Sequence, residues 1–329
     1  MSTQTAAAAV PDTGARAPAS AASALVRRRP RRTGWRTRLE LVLLLGPALV
    51  LFVGFVLVPI GIAGYYSLYQ WNGFGPLSFI GLHNYTDALT GPVFRAAIGH
   101  NVLIAVLSVV VQLPISVGLA LLLNRKLRGQ SVLRAVVFAP YVLSEAVTAV
   151  AWLLILQPGG AVDGVLAGLG LGGLVRQWLA DPSIVLYTLF VVITWKYIGF
   201  GIILLLAGLQ AIPSELREAA AIDGCSPWQT TRHVVLPLLG PTIRIWVFLS
   251  VIGSLQLFDV VWIMTAGGPA NASTTMATYL VDHGFKRYEF GYGSAVAVVL
   301  FVVCFAFALL YQRFALRRDT EGALTGAVS

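Results

Sequence analysis

Charge is what this sequence has least of. Only 11% of its 329 residues are Asp, Glu, Lys or Arg, against about a quarter in soluble domains, and the mean hydropathy is +0.79. That excludes an ordinary soluble globule and implies a chain that crosses a membrane several times. Cysteine is almost absent as well: Cys225 falls in a polar stretch and Cys304 in an apolar run, so neither a disulfide framework nor a structural metal is expected. The histidines His83, His100, His233 and His283 have no metal-ligand or catalytic-triad spacing. Missing too is any GxxxxGK[ST] phosphate loop. The chain is therefore not expected to be an enzyme, or to hold a cofactor or metal of its own. Acidic residues number 14 against 23 basic ones, a formal charge of +9. The basic residues stand at the ends of apolar runs and are not interleaved with aromatics, which excludes nucleic acid as the partner.

What the sequence does have is long apolar segments. Crossing roughly 30 Å of hydrocarbon takes about 20 mainly apolar residues. Six stretches qualify, near Leu41–Tyr65, Phe94–Leu123, Ser131–Leu156, Ile184–Leu209, Ile243–Thr265 and Phe290–Gln312. The expected fold class is thus all-α, polytopic, with six transmembrane helices, and with kinks at Pro114 and Pro140. Ahead of them, residues 1–34 are rich in Ala, Pro, Ser and Arg without an apolar period and read as a disordered basic tail. The arginine cluster followed by LVLLLGPALVLFVGFVLVPIGIAG resembles a signal peptide, but the run is too long; an uncleaved first span fits better than a twin-arginine signal. The six-span region is taken as 35–318, followed by a short tail at 319–329.

Orientation follows from the placement of Lys and Arg, which cytoplasmic loops retain. One side holds the cluster from Arg27 to Arg38, then Arg125, Lys126, Arg128, Arg134, Arg217, Arg232, Arg244, Arg313, Arg317 and Arg318, while the other holds only Arg95, Arg176, Lys286 and Arg287. Both termini and the polar insert at about 211–241 are expected on the cytoplasmic side.

Within that insert lies EAAAIDGCSPWQTTRHVVLP, Glu218 to Pro237. Ser214 is a good N-cap with Glu215 in the first turn, and Gly224 suits the left-handed residue after a helix end. Ser226, Pro227 and Gln229 form a capping-box arrangement that starts a second helix, closed by Leu236-Pro237. Each helix is shorter than the 12–15 residues at which isolated helices become marginal, so something must hold them. The bland reading is a solvated connector; two consecutive capped helices with a small, carboxylate-rimmed Ala face favour a docking element.

Ionisable residues within spans are costly and face a cavity or a partner. At about 1.5 Å per residue, Glu145 and Lys196 reach similar depths, near the midplane. They either pair structurally or line a polar cavity where Tyr141, Trp195, Tyr197 or Phe200 could offer an aromatic face to a ligand. Ser250 and Ser254 share a helix face, although serines in such helices commonly bond back to their own backbone. Gln256 adds an amide on the same span; Asp259 reads as a structural cap for the TAGGP turn, and Tyr197 and Gln256 rank behind the other candidates because neighbours on a helix face different ways.

The pattern EAA, a following Asp-Gly and a closing Leu-Pro resembles the EAA loop of the membrane subunits of bacterial ABC importers, especially the carbohydrate permeases of the maltose type. NVLIAVLSVVVQLPISVGLALLLNR, FAPYVLSEAVTAVAW, LLLAGLQAIPSEL, LQLFDVVWIMTAGGP and GYGSAVAVVLFVV look like that family too, over most of residues 60–312. The resemblance implies a type I ABC importer permease fold with a cytoplasmic coupling helix, in a bacterial cell membrane. It implies ATPase coupling through Glu218, Ala219, Ala220, Asp223, Gly224, Trp228, Leu236 and Pro237, and substrate binding by Tyr141, Glu145, Lys196, Phe200, Ser250 and Ser254. The implied partners are a second homologous permease subunit, two cytoplasmic nucleotide-binding subunits that carry ATP and Mg, an extracytoplasmic sugar-binding protein and the lipid bilayer. Thr231 departs from the family's usual aromatic at that position, and Trp228 is the residue that could replace it. A permease for a non-sugar solute such as glycerol phosphate is the alternative, followed by a secondary transporter, for which six spans are few and no internal repeat is visible.

Overall fold

The computed structural model describes residues 35–125 and 128–316. The basic tail, Lys126, Arg317, Arg318 and the C-terminal tail lie outside the described residues. By internal contacts the chain forms two units, 1–57 and 58–329.

In the first unit, α1 (Trp35–Phe52) runs into a π turn at Val53–Leu57. Leu44 of α1 is 77% exposed and Phe55 of the π turn 78%, as suits a helical stretch whose solvent is hydrocarbon.

The second unit begins with α2 (Val58–Tyr66), a two-residue hairpin of β1 (Tyr69–Gln70) and β2 (Ser78–Phe79), and α3 (His83–Thr90). Buried Asn84 at the start of α3 donates to the carbonyls of Ser67 and Tyr69 at 2.8 and 3.0 Å, which fastens the hairpin to the bundle. Then come α4 (Pro92–Leu107) and α5 (Leu113–Leu123), joined by a π turn at Ser108–Gln112. After them stand α6 (Gln130–Val142), α7 (Glu145–Leu156), the short α8 (Ala161–Gly168) and the long α9 (Val185–Gln210). The insert supplies α10 (Ser214–Ile222), α11 (Pro227–Thr230) and α12 (Leu236–Leu238). Finally α13 (Gly240–Leu255), α14 (Asp259–Met264), α15 (Met276–Val281) and α16 (Phe290–Tyr311) complete the bundle.

Among the described residues, five helical stretches are long and apolar enough to span a membrane: Val42–Tyr66, Pro92–Leu123, Val185–Gln210, Gly240–Met264 and Phe290–Ala315. A sixth exists if the bent pair α6 and α7 is one span. The expected third span is therefore not one continuous helix: its halves meet at 100°. Nor does Pro140 mark the break, which falls after it at Leu143 and Ser144.

Prolines explain the other irregularity. Pro114 lacks an N–H and crowds the carbonyl four residues back, and the chain answers with the π turn Ser108–Gln112 just ahead of it. Pro237 is preceded in the same way by a π turn at Thr231–Val235. The second insert helix thus does not close at Leu236-Pro237; it continues through a widened turn toward α13. The first insert helix also starts differently from expectation, because Pro213, in extended geometry (φ −55°, ψ 138°), occupies the N-cap position and Ser214 is already helical.

At the centre stands α9, more than half buried along its apolar window where the other spans are a third buried or less. α5 and α6 pack along it, α13 crosses it, and α7 packs on α14. Gly199 makes the α6 approach close: a methyl there would lie 2.7 Å from the Val137 carbonyl oxygen. Small residues that admit a neighbouring backbone are how helices gain packing contacts where lipid removes the hydrophobic drive. Lower on α9, Leu205, Leu206 and Leu209 cluster with Ile212, Val235 and Leu239 of the insert. That cluster holds the short insert helices in place.

Candidate functional site

The break in the third span builds the site. Leu143 (φ −63°, ψ 147°) and Ser144 (φ −66°, ψ 153°) are extended, so α6 stops and α7 restarts. Ser144 caps α7, its hydroxyl accepting from the Val147 N–H at 3.2 Å. The last carbonyls of α6 have lost their own helical partners, a costly state away from water. Lys196, halfway along α9 and 3% exposed, supplies them. Its ammonium donates to the carbonyl of Pro140 at 3.2 Å, of Tyr141 at 3.1 Å and of Leu143. Three N–H donors meet three acceptors, and a cation suits the negative end of a helix.

The next residue on α9 holds the other side of the break. Tyr197 donates its hydroxyl to the carboxylate of Glu145, the first residue of α7. One turn further, Phe200 stacks on Tyr141 with ring centroids 5.2 Å apart and planes at 29°. Among the described residues no ion pair joins Lys196 to Glu145; each is satisfied by a different partner.

Against this break lies a cavity of about 340 Å³, within the size range of small-ligand sites. Tyr141, Glu145 and Phe200 line it, and so do Ser250 and Ser254 from α13. Lys196 is not in its wall. The Ser254 hydroxyl does bond back, donating to the Ser250 carbonyl at 2.8 Å. Trp195 stands elsewhere, edge-on to Trp152 at 5.4 Å.

The lining extends beyond Tyr141, Glu145, Phe200, Ser250 and Ser254. Tyr197 and Gln256 both face the cavity, because the Tyr197 hydroxyl turns toward Glu145 and Gln256 sits where α13 unwinds. Asp259 is no cap for the TAGGP turn: it opens α14 and lines the cavity, while that turn is satisfied by Ser273 and Thr274, which donate to the carbonyls of Gly268 and Gly267 at 2.6 and 3.1 Å. Ser108 and Gln112 come from the π turn ahead of Pro114. A polar side chain in the run VVVQLP, just before a proline, was the available signal. The cavity thus lies at or beside three irregular places in the chain: the π turn 108–112, the break at 143–144, which Tyr141 and Glu145 flank, and residues 256–258. Non-helical backbone at membrane depth is tolerated where it lines a cavity.

The insert presents a second surface. Gly224 has φ +80°, and the Cys225 and Gly224 N–H groups donate to the carbonyls of Ala220 and Ala221 at 2.9 and 3.1 Å. That double bond pattern is the glycine-terminated helix end expected there. The capping box of the next helix is complete: the Gln229 N–H donates to the Ser226 hydroxyl at 3.4 Å, and the Ser226 N–H to the Gln229 side chain at 2.8 Å. Ala220 is buried, whereas Glu218, Ala219, Asp223, Gly224, Trp228 and Pro237 are exposed and Leu236 is half-buried. Trp228, 68% exposed, lines a recess with Thr231, Arg125 and Arg217. Thr231 turns its hydroxyl back to the Pro227 carbonyl at 2.8 Å and adds no aromatic bulk.

Among the described residues no cluster of His, Cys, Asp and Glu is placed to hold a metal ion.

Comparison with known proteins places this geometry. Residues 112–320 match the family model described as the binding-protein-dependent transport system inner membrane component. A probable ABC transporter permease protein of Pyrococcus horikoshii is 35% identical over 82% of this chain and 94% of its own length. The trehalose/maltose transport system permease protein of Thermococcus litoralis is 32% identical over 84% of this chain and 94% of its own. Among solved structures, a chain of a bacterial ABC transporter involved in the import of the acidic polysaccharide alginate superposes with a TM-score of 0.75 at 23% identity, covering 86% of this chain and 98% of that one.

Proposed function

Since this chain belongs to the family of binding-protein-dependent transport system inner membrane components, we propose that it is the permease subunit of an ATP-driven importer whose cargo is a di- or oligosaccharide. The observation that carries the sugar reading is the cavity at the helix breaks. It combines a stacked aromatic pair, Tyr141 and Phe200, with the Glu145 carboxylate, the Gln112 amide and the Ser250 hydroxyl. Aromatic faces with hydrogen-bonding rims suit pyranose rings. The trehalose/maltose relative supports the same class of cargo.

In this reading both termini and the insert face the cytoplasm of a bacterial cell. A binding protein delivers the sugar at the opposite face, and a second, related permease subunit completes the path. Two cytoplasmic ATPase subunits bind ATP and Mg and engage the surface around Glu218, Ala219, Ala220, Asp223, Gly224, Trp228, Leu236 and Pro237. Their closure moves the insert, and the insert moves α9 and α13 through the cluster of Val235, Leu239, Leu205 and Leu209. Rigid-body rocking of the bundle then opens the cavity to one side at a time.

The test is reconstitution. The complex co-purified through this chain, placed in liposomes with ATP inside or outside as required, is offered a panel of radiolabelled saccharides together with the co-purifying binding protein. ATP-dependent accumulation of a saccharide is the expected result; accumulation of a non-sugar solute alone would overturn the cargo assignment.

A further inference from the structure

Among the described residues, two acidic side chains line the cavity, and no Lys, Arg or His does. Glu145 enters from the start of α7 and Asp259 from the start of α14, and both line the same cavity. The nearest cation, Lys196, has its donors bound to the three carbonyls of the break. The rest of the polar lining is hydroxyl and amide. Gln112 and Ser108, 4% and 2% exposed, belong to that lining.

The charge of the occupant follows. A uronate, sulfonate or phosphate would bring a negative charge into a poorly screened space lined by acidic groups and by no cation to offset it, where like charges repel strongly. Neutral hydroxyls donate to carboxylates readily, and an ammonium does so with added attraction. The fold itself is no guide, since it hosts cargo of different charge. We propose that this cavity takes saccharides with neutral or amino substituents and turns away acidic ones. The proposal rests on the sugar reading above and narrows its substrate class.

Binding to the assembled membrane complex, freed of its binding protein and held in lipid nanodiscs, separates the two. The probes are maltose, the β-1,4-linked disaccharide of glucosamine and digalacturonate, followed by saturation-transfer NMR. Maltose or the amino disaccharide should bind, with digalacturonate about tenfold weaker or more. In the E145Q/D259N double variant that discrimination should shrink to about threefold or less. Digalacturonate binding as well as the others in the native complex overturns the charge proposal and leaves the sugar reading standing, as does discrimination unchanged in a variant complex that still binds a neutral probe. Binding of none of the three overturns both.

Discussion

The Lys196 ammonium lies 3.1 Å from the main-chain carbonyl oxygen of Tyr141, the residue whose ring stacks on Phe200 one turn along α9. Three residues of one helix therefore hold the two halves of a broken span. Lys196 holds the backbone of α6, Tyr197 holds the first side chain of α7, and Phe200 holds the ring that walls the cavity. The geometry of the cavity is set by α9 as much as by the break.

Replacing Lys196 with Met keeps the length of the side chain and removes its donors. The carbonyls of Pro140, Tyr141 and Leu143 then have no cation to bond, and each buried acceptor left unpaired costs about 1–3 kcal/mol. The expected outcome is a lower midpoint of thermal unfolding in detergent, together with lost uptake. A variant as stable as the parent would show that the break holds itself.

Glu145 calls for the opposite pattern. The side chain sits at the cavity, and α7 is capped by Ser144 whether or not Glu145 is present. Glu145→Ala should therefore lower transport while leaving membrane abundance unchanged. Tyr197→Phe, which removes only the donor to Glu145, should lower transport in the same direction and to a smaller extent. If abundance falls in step with uptake in both variants, the carboxylate has a structural role and not a binding one.

The sequence announces the spans, because apolar length and scarce charge are one-dimensional signals. It announces the insert for a similar reason: Gly224 and the Ser226-Pro227-x-Gln229 box are local and act within a few residues. The break at Leu143 and Ser144 is less legible, since Pro140 attracts attention three residues too early and the turn is paid for by Lys196, 53 residues from Leu143. Asp259 was hidden for a related reason. Its neighbours suggested a turn, and only the unwinding of α13 at Gln256 turns it into the cavity. Long-range partners decide such positions, and periodicity carries no record of them.

Gly199 tests the close packing of α6 on α9. A methyl there meets backbone, the Val137 carbonyl oxygen at 2.7 Å and the Phe138 Cα at 3.2 Å, and backbone cannot rotate aside. Gly199→Ala should destabilise the complex by about 1–3 kcal/mol, the usual range for overpacking. Gly118→Ala on α5, where an added methyl meets nothing within 4 Å, should leave stability unchanged or slightly raised by the better helix propensity. Equal unfolding midpoints for the two variants would contradict the close approach.

Gly224 separates folding from coupling. Its φ of +80° lies in the left-handed region, and an added Cβ there meets nothing within 4 Å. The strain in a substitution is therefore conformational alone, about 1–2 kcal/mol for an ordinary side chain and more for a β-branched one. Because the turn stands on the exposed insert, away from the spans, Gly224→Val should leave membrane insertion and abundance intact while moving α10 relative to α11. Uptake should be lost if the ATPase subunits read that relation. Gly224→Asn, which tolerates the left-handed conformation, should keep most of it. The measurement is ATP-dependent uptake normalised to membrane-inserted protein. Normal uptake by the valine variant would remove the insert from the coupling path, since the motion it transmits depends on where this one turn places two short helices.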